Sequence, residues 1–351
     1  MVTDPLQSLL DAARADVESG WLPACQMAVA RHGELIAFET FGAATNSTRF
    51  LAYSATKPIV ASAAWLFIAD GSLDVSLPVA HYIPEFGANG KESVTVEQVM
   101  LHTSGFPNAA VKPVDGADPA RRVEAIAAWA LEWEPGTRFE YHATSAHWVL
   151  VEIIARLGGG DFRDIIDQRV CSPLGLPRVL GLPFDQQDDI AAPTPVGDAV
   201  GGPTTMAELT ARPEVIAAGV PGGGGVMTAA DLALFYQGVM HNPGELWDPG
   251  VLADVTANIR CRLPEPLFGL AVNRTLGLVV AGDDGQHIMR YAGFGESCSA
   301  ASYGHAGMHM QVGWGDPVSG ISFAYLTNGV DADVMREGIR GVALATLASA
   351  L

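Results

Sequence analysis

Residues 50–73 read FLAYSATKPIVASAAWLFIADGSL, and this stretch changes from an apolar strand pattern to a long apolar helix pattern. Ser54 and Lys57 fall at the change, in the predicted first turn of the helix, and Pro58 follows directly. Proline is favoured in the first turn of a helix. The chain has only three lysines, at positions 57, 91 and 112. A lysine at the start of a helix that otherwise looks buried therefore calls for an explanation.

The spacing of Ser54 and Lys57 suits nucleophilic catalysis. Residues three apart on a helix share one face. A serine hydroxyl is a weak nucleophile until a base takes its proton, and lysine can be that base when burial or a nearby cation keeps it neutral. The start of the helix adds a backbone N–H that can help to hold an oxyanion. The spacing alone also fits a helix whose lysine reaches solvent, so it needs further support.

The composition limits the class of protein. The chain has 351 residues, of which 49% are hydrophobic and 17% charged, so it can bury a core and disorder is not expected. A formal net charge of −19 repels phosphate backbones and anionic membranes, which argues against nucleic-acid or membrane partners. The substrate is expected to be a small neutral molecule, or one that a local positive group holds.

Three features of the sequence indicate a cytoplasmic protein. Residues 1–20 lack the basic stretch followed by an apolar stretch of a secretory signal, and the longest apolar run, residues 58–69, is too short to cross a bilayer. The cysteines show no CxxC spacing and are expected to be reduced core thiols. They are Cys25, Cys171, Cys261 and Cys298.

The two ends of the chain carry the strand patterns. A helix is predicted over Pro5–Glu18, followed by a β-hairpin with strands at Cys25–Arg31 and Glu34–Phe41. Later strands are predicted at residues 268–273, 276–280, 287–292, 308–314 and 321–327, before a final helix at about 332–350. Residues from about 75 to 215 are rich in proline, with short helical patterns such as 123–131 and 145–157.

This order predicts a fold of the α/β (α+β) class. A central antiparallel sheet would form from the N- and C-terminal segments and be flanked by helices. Residues 1–75 and 216–351 would make this sheet domain, and residues 76–215 a mostly helical inserted domain. The active site is expected in the cleft between the two.

Four other stretches bear on the function of the SATK segment. They are VMLHTSGFP at 99–107, EPGTRFEYHATSAHWVL at 134–150, GGGGVMTAADLALF at 222–235 and GHAGMHMQVGW at 304–314. Together they resemble the serine β-lactamase and penicillin-binding superfamily, most closely its class C-like branch with the family VIII type carboxylesterases. SATK matches the Ser-x-x-Lys box, YHA lies where a Tyr-x-Asn box would be, and HAG fills the place of Lys-Thr-Gly. The resemblance runs from about Leu6 to the C-terminus.

The resemblance implies a role for each residue of these boxes. Ser54 would be the acylated nucleophile, and Lys57 and Tyr141 would share the work of the base. The backbone N–H groups of Ser54 and Met308 would form the oxyanion hole. His305 would line the site beside Tyr141 and help to hold its hydrogen bonds. The implied reaction needs no cofactor.

Two positions depart from the pattern of the superfamily. Ala143 stands where the Tyr-x-Asn box has an amide that bonds the acylamino group of a β-lactam. His305 replaces a lysine that attracts the β-lactam carboxylate, and histidine is mostly neutral at pH 7. Both departures favour hydrolysis of a small carboxylic ester. A β-lactamase, a D-amino peptidase or an acyltransferase on the same scaffold remains an alternative, as does a non-catalytic binding protein.

Four smaller points concern the turn before the strand, His102, metal binding and the oligomeric state. The small residues before the strand, Ala306 and Gly307, would let a ligand lie close to the backbone. His102 could be catalytic, although a structural role in its turn is favoured. No metal site is predicted, because the paired histidines lack carboxylates at metal-ligand spacing. The sequence does not indicate an oligomeric state.

Overall fold

The computed structural model describes residues 4–202 and 205–351. The strands are β1 Ala24–Arg31, β2 Glu34–Gly42, β3 Phe50–Tyr53, β4 Thr194–Val196, β5 Gly225–Met227, β6 Val279–Val280, β7 Tyr303–Gly304, β8 Val312–Asp316, β9 Ile321–Thr327 and β10 Gly329–Asp331. The α-helices are α1 Pro5–Glu18, α2 Lys57–Ala69, α3 Val79–Tyr82, α4 Val96–Met100, α5 Pro113–Ala117, α6 Pro119–Ala128, α7 Ser145–Gly158, α8 Phe162–Ile166, α9 Met206–Thr210, α10 Pro213–Ala218, α11 Ala229–His241, α12 Pro249–Ala257, α13 His287–Arg290 and α14 Val334–Ser349.

The main sheet has six strands in the order β2-β1-β9-β8-β7-β6, and every neighbouring pair is antiparallel. It joins the N-terminal hairpin to the C-terminal strands, so the predicted fold class is confirmed. The hairpin pairs Arg31 with Glu34 at its closed end, and Cys25 pairs with Thr327 on the other side of β1. Strand β1 therefore lies inside the sheet, which explains why all of its residues except Arg31 are buried.

The two faces of the sheet carry side chains of different size. Large side chains such as Met27, Trp314 and Phe323 pack with α1 and α14 on one face. The opposite face presents Ala28, Ala324 and several glycines to α11. A Cβ on the glycine at position 313 would lie 2.9 Å from Leu232 and Tyr236 of α11. Small residues on this face thus let α11 pack close to the sheet.

The helical part of the chain forms around two buried helices. Most of α2 is buried, and α2 packs against α7, which is itself buried along most of its length. The shorter helices α4, α6 and α8 also pack against α7. Within this helical part, the buried Arg122 forms an ion pair with Glu152 at 2.7 Å. The division into a domain of residues 76–215 and a domain of the remaining segments stays a prediction.

The predicted helix at Pro5–Glu18 and the hairpin are confirmed, but several late strands are not. Residues 287–292 contain the short helix α13, and residues 268–273 form only an isolated bridge. Of 276–280, only the last two residues are strand. The strand predicted from residue 308 begins at Val312, because residues 308–310 form a 3-10 turn in which His309 and Met310 have positive φ. Left-handed residues end the alternation that a strand needs.

Candidate active site

Ser54 lies in a sharp turn between β3 and α2. Tyr53 ends the strand with φ of 44° and ψ of −130°, and Ser54–Thr56 form a 3-10 turn that leads into α2 at Lys57. The Thr56 hydroxyl fixes this turn, because it donates to the Tyr53 carbonyl at 2.6 Å and accepts from the Gly225 N–H at 2.9 Å. A positive φ at a bulky residue is strained, and such strain concentrates at functional sites. The serine is thus held in one orientation.

The amino group of Lys57 makes three short contacts inside the protein. Its Nζ lies 3.0 Å from Ser54 Oγ, 2.8 Å from the Ala143 carbonyl oxygen and 2.6 Å from the Gly222 carbonyl oxygen. Carbonyl oxygens can only accept hydrogen bonds. A neutral amine has two N–H groups for these two carbonyls, and its lone pair then faces the Ser54 hydroxyl. An ammonium group would donate to all three oxygens, so these contacts fit both forms of the lysine, and only the neutral form can take the serine proton.

The surroundings of Lys57 favour this neutral form. The side chain is 1% exposed. Burial lowers the pKa of Lys57, and while the nearby Tyr141 opposes this shift, the cationic Arg274 lowers the pKa further. The sequence analysis named burial or a neighbouring cation as a cause of a neutral lysine, and here both lower the pKa of Lys57. Arg274 is distant from every sequence motif and was not predicted.

Tyr141 lies next to Lys57, in the segment that leads to α7 at Ser145. Lys57 Nζ is 4.9 Å from the centroid of the tyrosine ring. The ring stacks at a tilt on His102, with centroids 4.9 Å apart. Within the described residues, the buried Tyr141 hydroxyl has no hydrogen-bond partner. The same side chain is close enough to Lys57 to oppose the lowering of the lysine pKa.

His102 packs against the ring of Tyr141 and bonds to the backbone of the next residue, His142. It is buried, has φ of 59°, and its Nδ1 accepts a hydrogen bond from the His142 backbone N–H at 3.1 Å. Burial holds the pKa of His102 well below its ordinary value, and the charge of Arg274 adds to this. These contacts join the ring of His102 to the segment that carries Tyr141, and the structural role of His102 stays a prediction.

The segment 305–308 forms the opposite wall of the site. His305 Nδ1 is 2.8 Å from the Ala306 carbonyl oxygen, and its Nε2 is 3.4 Å from Arg274 Nη1. The ring lies 6.0 Å from that of Tyr141, between centroids. Burial, Arg274 and Lys57 hold the pKa of His305 well below its ordinary value, so the ring is neutral at pH 7. His305 therefore does not supply the positive charge that the lysine of the superfamily carries at this position.

One pocket brings most of the predicted site residues together. It has a volume of about 510 Å³, and Ser54, Tyr141, Ala143, His305 and Met308 line it. Lys57 lies beneath its floor in contact with Ser54. Another cavity, of about 610 Å³ beside α11 and α12, contains none of the predicted residues. In the described ranges, no group of three or more histidine, cysteine or acidic side chains could hold a metal ion.

Gly307 lies where the wall of the pocket meets β3. A Cβ at this position would be 2.2 Å from the Ala52 carbonyl oxygen, two residues before Ser54. Gly307→Ala must therefore push the segment 305–308 away from the serine. A displacement of this kind is expected to lower kcat/KM for an ester substrate by about 10²-fold. The measurement is steady-state hydrolysis of a p-nitrophenyl ester.

The control for this substitution is Gly338→Ala. Gly338 lies in α14, and a Cβ there would meet no atom within 4 Å. This variant is expected to keep the activity of the unmodified protein. Full activity of Gly307→Ala would show that the segment 305–308 takes no part in the reaction.

Comparisons with known proteins agree with this geometry. The Beta-lactamase family matches residues 9–347. The Esterase/beta-lactamase LipL of Mycobacterium tuberculosis is 28% identical over 309 residues, which cover 79% of this chain and 68% of that protein. The Esterase EstB of Burkholderia gladioli is 28% identical over 274 residues, which cover 64% of this chain and 67% of that protein.

A solved structure shares the whole fold. The crystal structure of a family VIII carboxylesterase superposes with a TM-score of 0.83 at 23% identity, covering 99% of this chain and 98% of the other. The family match spans both the Ser54 turn and the segment that ends the site at Met308. The sheet is joined from both chain ends, and the serine lies at a turn between a strand and a helix. With a family match over nearly the full length, the chain belongs to the Beta-lactamase family.

Proposed function

We propose that the protein is a serine hydrolase that cleaves small carboxylic esters through an acyl-enzyme on Ser54. One observation carries the proposal: the buried Lys57 amino group has two carbonyl acceptors and the Ser54 hydroxyl as its neighbours. A lysine with a lowered pKa in this arrangement can act as a general base. The printed names of LipL and EstB, which are esterases, support the choice of substrate class.

In the first step, Ser54 Oγ attacks the ester carbonyl carbon while its proton passes to Lys57. The backbone N–H groups of Ser54 and Met308 hold the oxyanion that forms. The C–O bond to the alcohol then breaks, and the alcohol oxygen takes a proton from the pair formed by Lys57 and Tyr141. The Tyr141 hydroxyl has no hydrogen-bond partner among the described residues, which supports its role in this transfer.

In the second step, water attacks the acyl group on Ser54. The Lys57–Tyr141 pair takes a proton from the water, the bond to Ser54 Oγ breaks, and the serine regains its proton. The products are a carboxylic acid and the free enzyme. Each step uses groups of this chain and water, with no added cofactor.

A cytoplasmic location is part of the proposal, and the four buried, unbridged cysteines support it.

None of the helices within the described ranges has the length and hydropathy to cross a membrane.

The proposal is tested by comparing a p-nitrophenyl ester with nitrocefin, a β-lactam. Ala143 offers no side-chain amide for an acylamino group, and loss of such a hydrogen bond costs about 1–3 kcal/mol. At about 1.4 kcal/mol per tenfold, kcat/KM for a short p-nitrophenyl ester is expected to exceed that for nitrocefin by at least about tenfold. Ala143→Asn is expected to narrow this difference.

Hydrolysis of β-lactams is the second candidate, because the name of LipL joins both activities. Equal kcat/KM values for nitrocefin and for the ester would favour that function.

A further inference from the structure

Arg274 is a buried cation without a carboxylate partner. Its residue exposure is 9%, and no acidic group of the described residues lies within ion-pair distance of its guanidinium. Its Nε has no hydrogen-bond partner among these residues, and its Nη1 only approaches the neutral His305 ring at 3.4 Å. By contrast, the buried guanidinium of Arg122 pairs with Glu152, and that of Arg290 pairs with Asp284.

Two aromatic rings hold the guanidinium in place. Its central carbon lies 5.3 Å from the ring centroids of Phe139 and Tyr141. Aromatic faces attract a cation, but they do not neutralise its charge. An unpaired charge in such a setting is costly, so a protein that keeps one there commonly has a use for it. An anion that reached Arg274 would offset this cost.

The pocket beside Ser54 gives a ligand access to Arg274. Arg274 lines it together with Ser54 and His305. The pocket also contains Arg290, whose guanidinium is paired with Asp284, and the rest of the lining is mostly apolar. The acidic Glu265 lies at the same pocket, but its carboxylate accepts from the Phe268 N–H at 2.8 Å and forms no ion pair with Arg274. An apolar pocket with one free guanidinium is suited to a small molecule that carries a carboxylate.

We propose that Arg274 binds a carboxylate of the substrate, so that the preferred substrates are esters that carry a free carboxylate on their acyl or alcohol part. This inference rests on the proposed ester hydrolysis at Ser54. The chain as a whole is strongly acidic, with a net charge of −19, and repels anions at long range. Arg274 replaces that repulsion by local attraction inside the pocket. It also supplies, from another part of the chain, the charge that His305 lacks.

The test compares pairs of esters in which one member carries a free carboxylate and the other carries the same group as a methyl ester, with each rate corrected for hydrolysis without enzyme. Mono-4-nitrophenyl succinate is paired with its neutral methyl ester to probe the acyl side. 4-Acetoxybenzoate is paired with its methyl ester to probe the alcohol side. The unmodified protein is expected to favour the anionic member of at least one pair in kcat/KM. Arg274→Gln is expected to reduce that preference roughly 10- to 100-fold, as loss of a charge-assisted hydrogen bond predicts.

The informative quantity is the ratio of kcat/KM for the anionic ester to kcat/KM for its methyl ester. Arg274 also lowers the pKa of Lys57, so its replacement changes the turnover of every ester. This effect cancels between two esters that react through the same steps. Arg274→Lys keeps the charge without the planar fork and should retain part of the preference. Arg260→Gln is the control, because Arg260 pairs with Glu97 and Asp254 outside the pocket, and it should leave the ratio unchanged.

A binding experiment separates this inference from the proposed hydrolysis. Calorimetry on Ser54→Ala with monomethyl succinate and 4-hydroxybenzoate needs no turnover. At least one of these anions should bind more tightly than its neutral methyl ester, and Arg274→Gln should remove the difference. If no ester is hydrolysed but the anions still bind through Arg274, the proposed function fails and the anion site stands. Equal binding of charged and neutral compounds, or ratios that Arg274→Gln leaves unchanged, would overturn the inference.

Discussion

Ser54→Ala is expected to lose nearly all ester hydrolysis while it keeps its fold. The Oγ atom contacts Lys57 at 3.0 Å and lies a weak 3.5 Å from the Gly222 carbonyl oxygen, so little stability depends on it. Among the described residues that line the pocket, Ser54 is the only serine, threonine or cysteine. We therefore expect kcat to fall by at least about 10³-fold, in keeping with the removal of a nucleophile. Steady-state hydrolysis of a p-nitrophenyl ester and a thermal melt measure the two effects.

The matched control is Ser297→Ala. Ser297 is an exposed serine outside the pocket, and its loss should leave turnover unchanged. A fluorophosphonate probe should label the control variant and leave Ser54→Ala unlabelled. Retained turnover in Ser54→Ala would exclude the acyl-enzyme on this residue.

Replacing Lys57 or Tyr141 is expected to have the second largest effect. Lys57→Gln keeps amide N–H groups for the Ala143 and Gly222 carbonyls but cannot take the serine proton. Tyr141→Phe removes a hydroxyl that has no partner among the described residues, so its effect should be on the reaction rather than on stability. Each change is expected to lower kcat by at least about 10²-fold, as the loss of a general base does.

The double variant tests whether the two side chains act as one unit. Lys57 Nζ lies 4.9 Å from the Tyr141 ring centroid, which is close enough for the two groups to share a proton path. Residues that work as a unit have non-additive effects. The double variant should therefore lose much less activity than the product of the two single losses. Fully multiplicative losses would assign Lys57 and Tyr141 to separate steps.

The sequence predicted the parts of the fold that rest on local periodicity. The helix at Pro5–Glu18 and the strand Ile321–Thr327 follow from their apolar patterns and are confirmed. Residues 260–300 were less predictable, because this part turns at several glycines and pairs through isolated bridges. A short apolar run such as 287–292 does not distinguish a strand from a helical turn. Its conformation depends on contacts with distant residues.

The site shows the same division between local and distant signals. Ser54 and Lys57 are one turn apart, so their contact follows from the start of a helix. Tyr141 could be named only through the resemblance of YHA to a known box. Arg274 lies far from every motif, and only the fold brings it to the pocket. The contact between the Gly222 carbonyl and Lys57 could not be predicted either, because a run of glycines indicates a turn but not which backbone atom of the turn faces the site.

The central claim is that an acyl group passes through Ser54. The most direct measurement is mass spectrometry of the intact protein, quenched in acid shortly after mixing with a p-nitrophenyl ester, followed by peptide mapping. The proposed mechanism predicts that the protein gains the mass of one acyl group and that the peptide containing Ser54 carries it. An adduct on another residue such as Ser104, or rapid hydrolysis with no adduct at any quench time and equal turnover by Ser54→Ala, would contradict it.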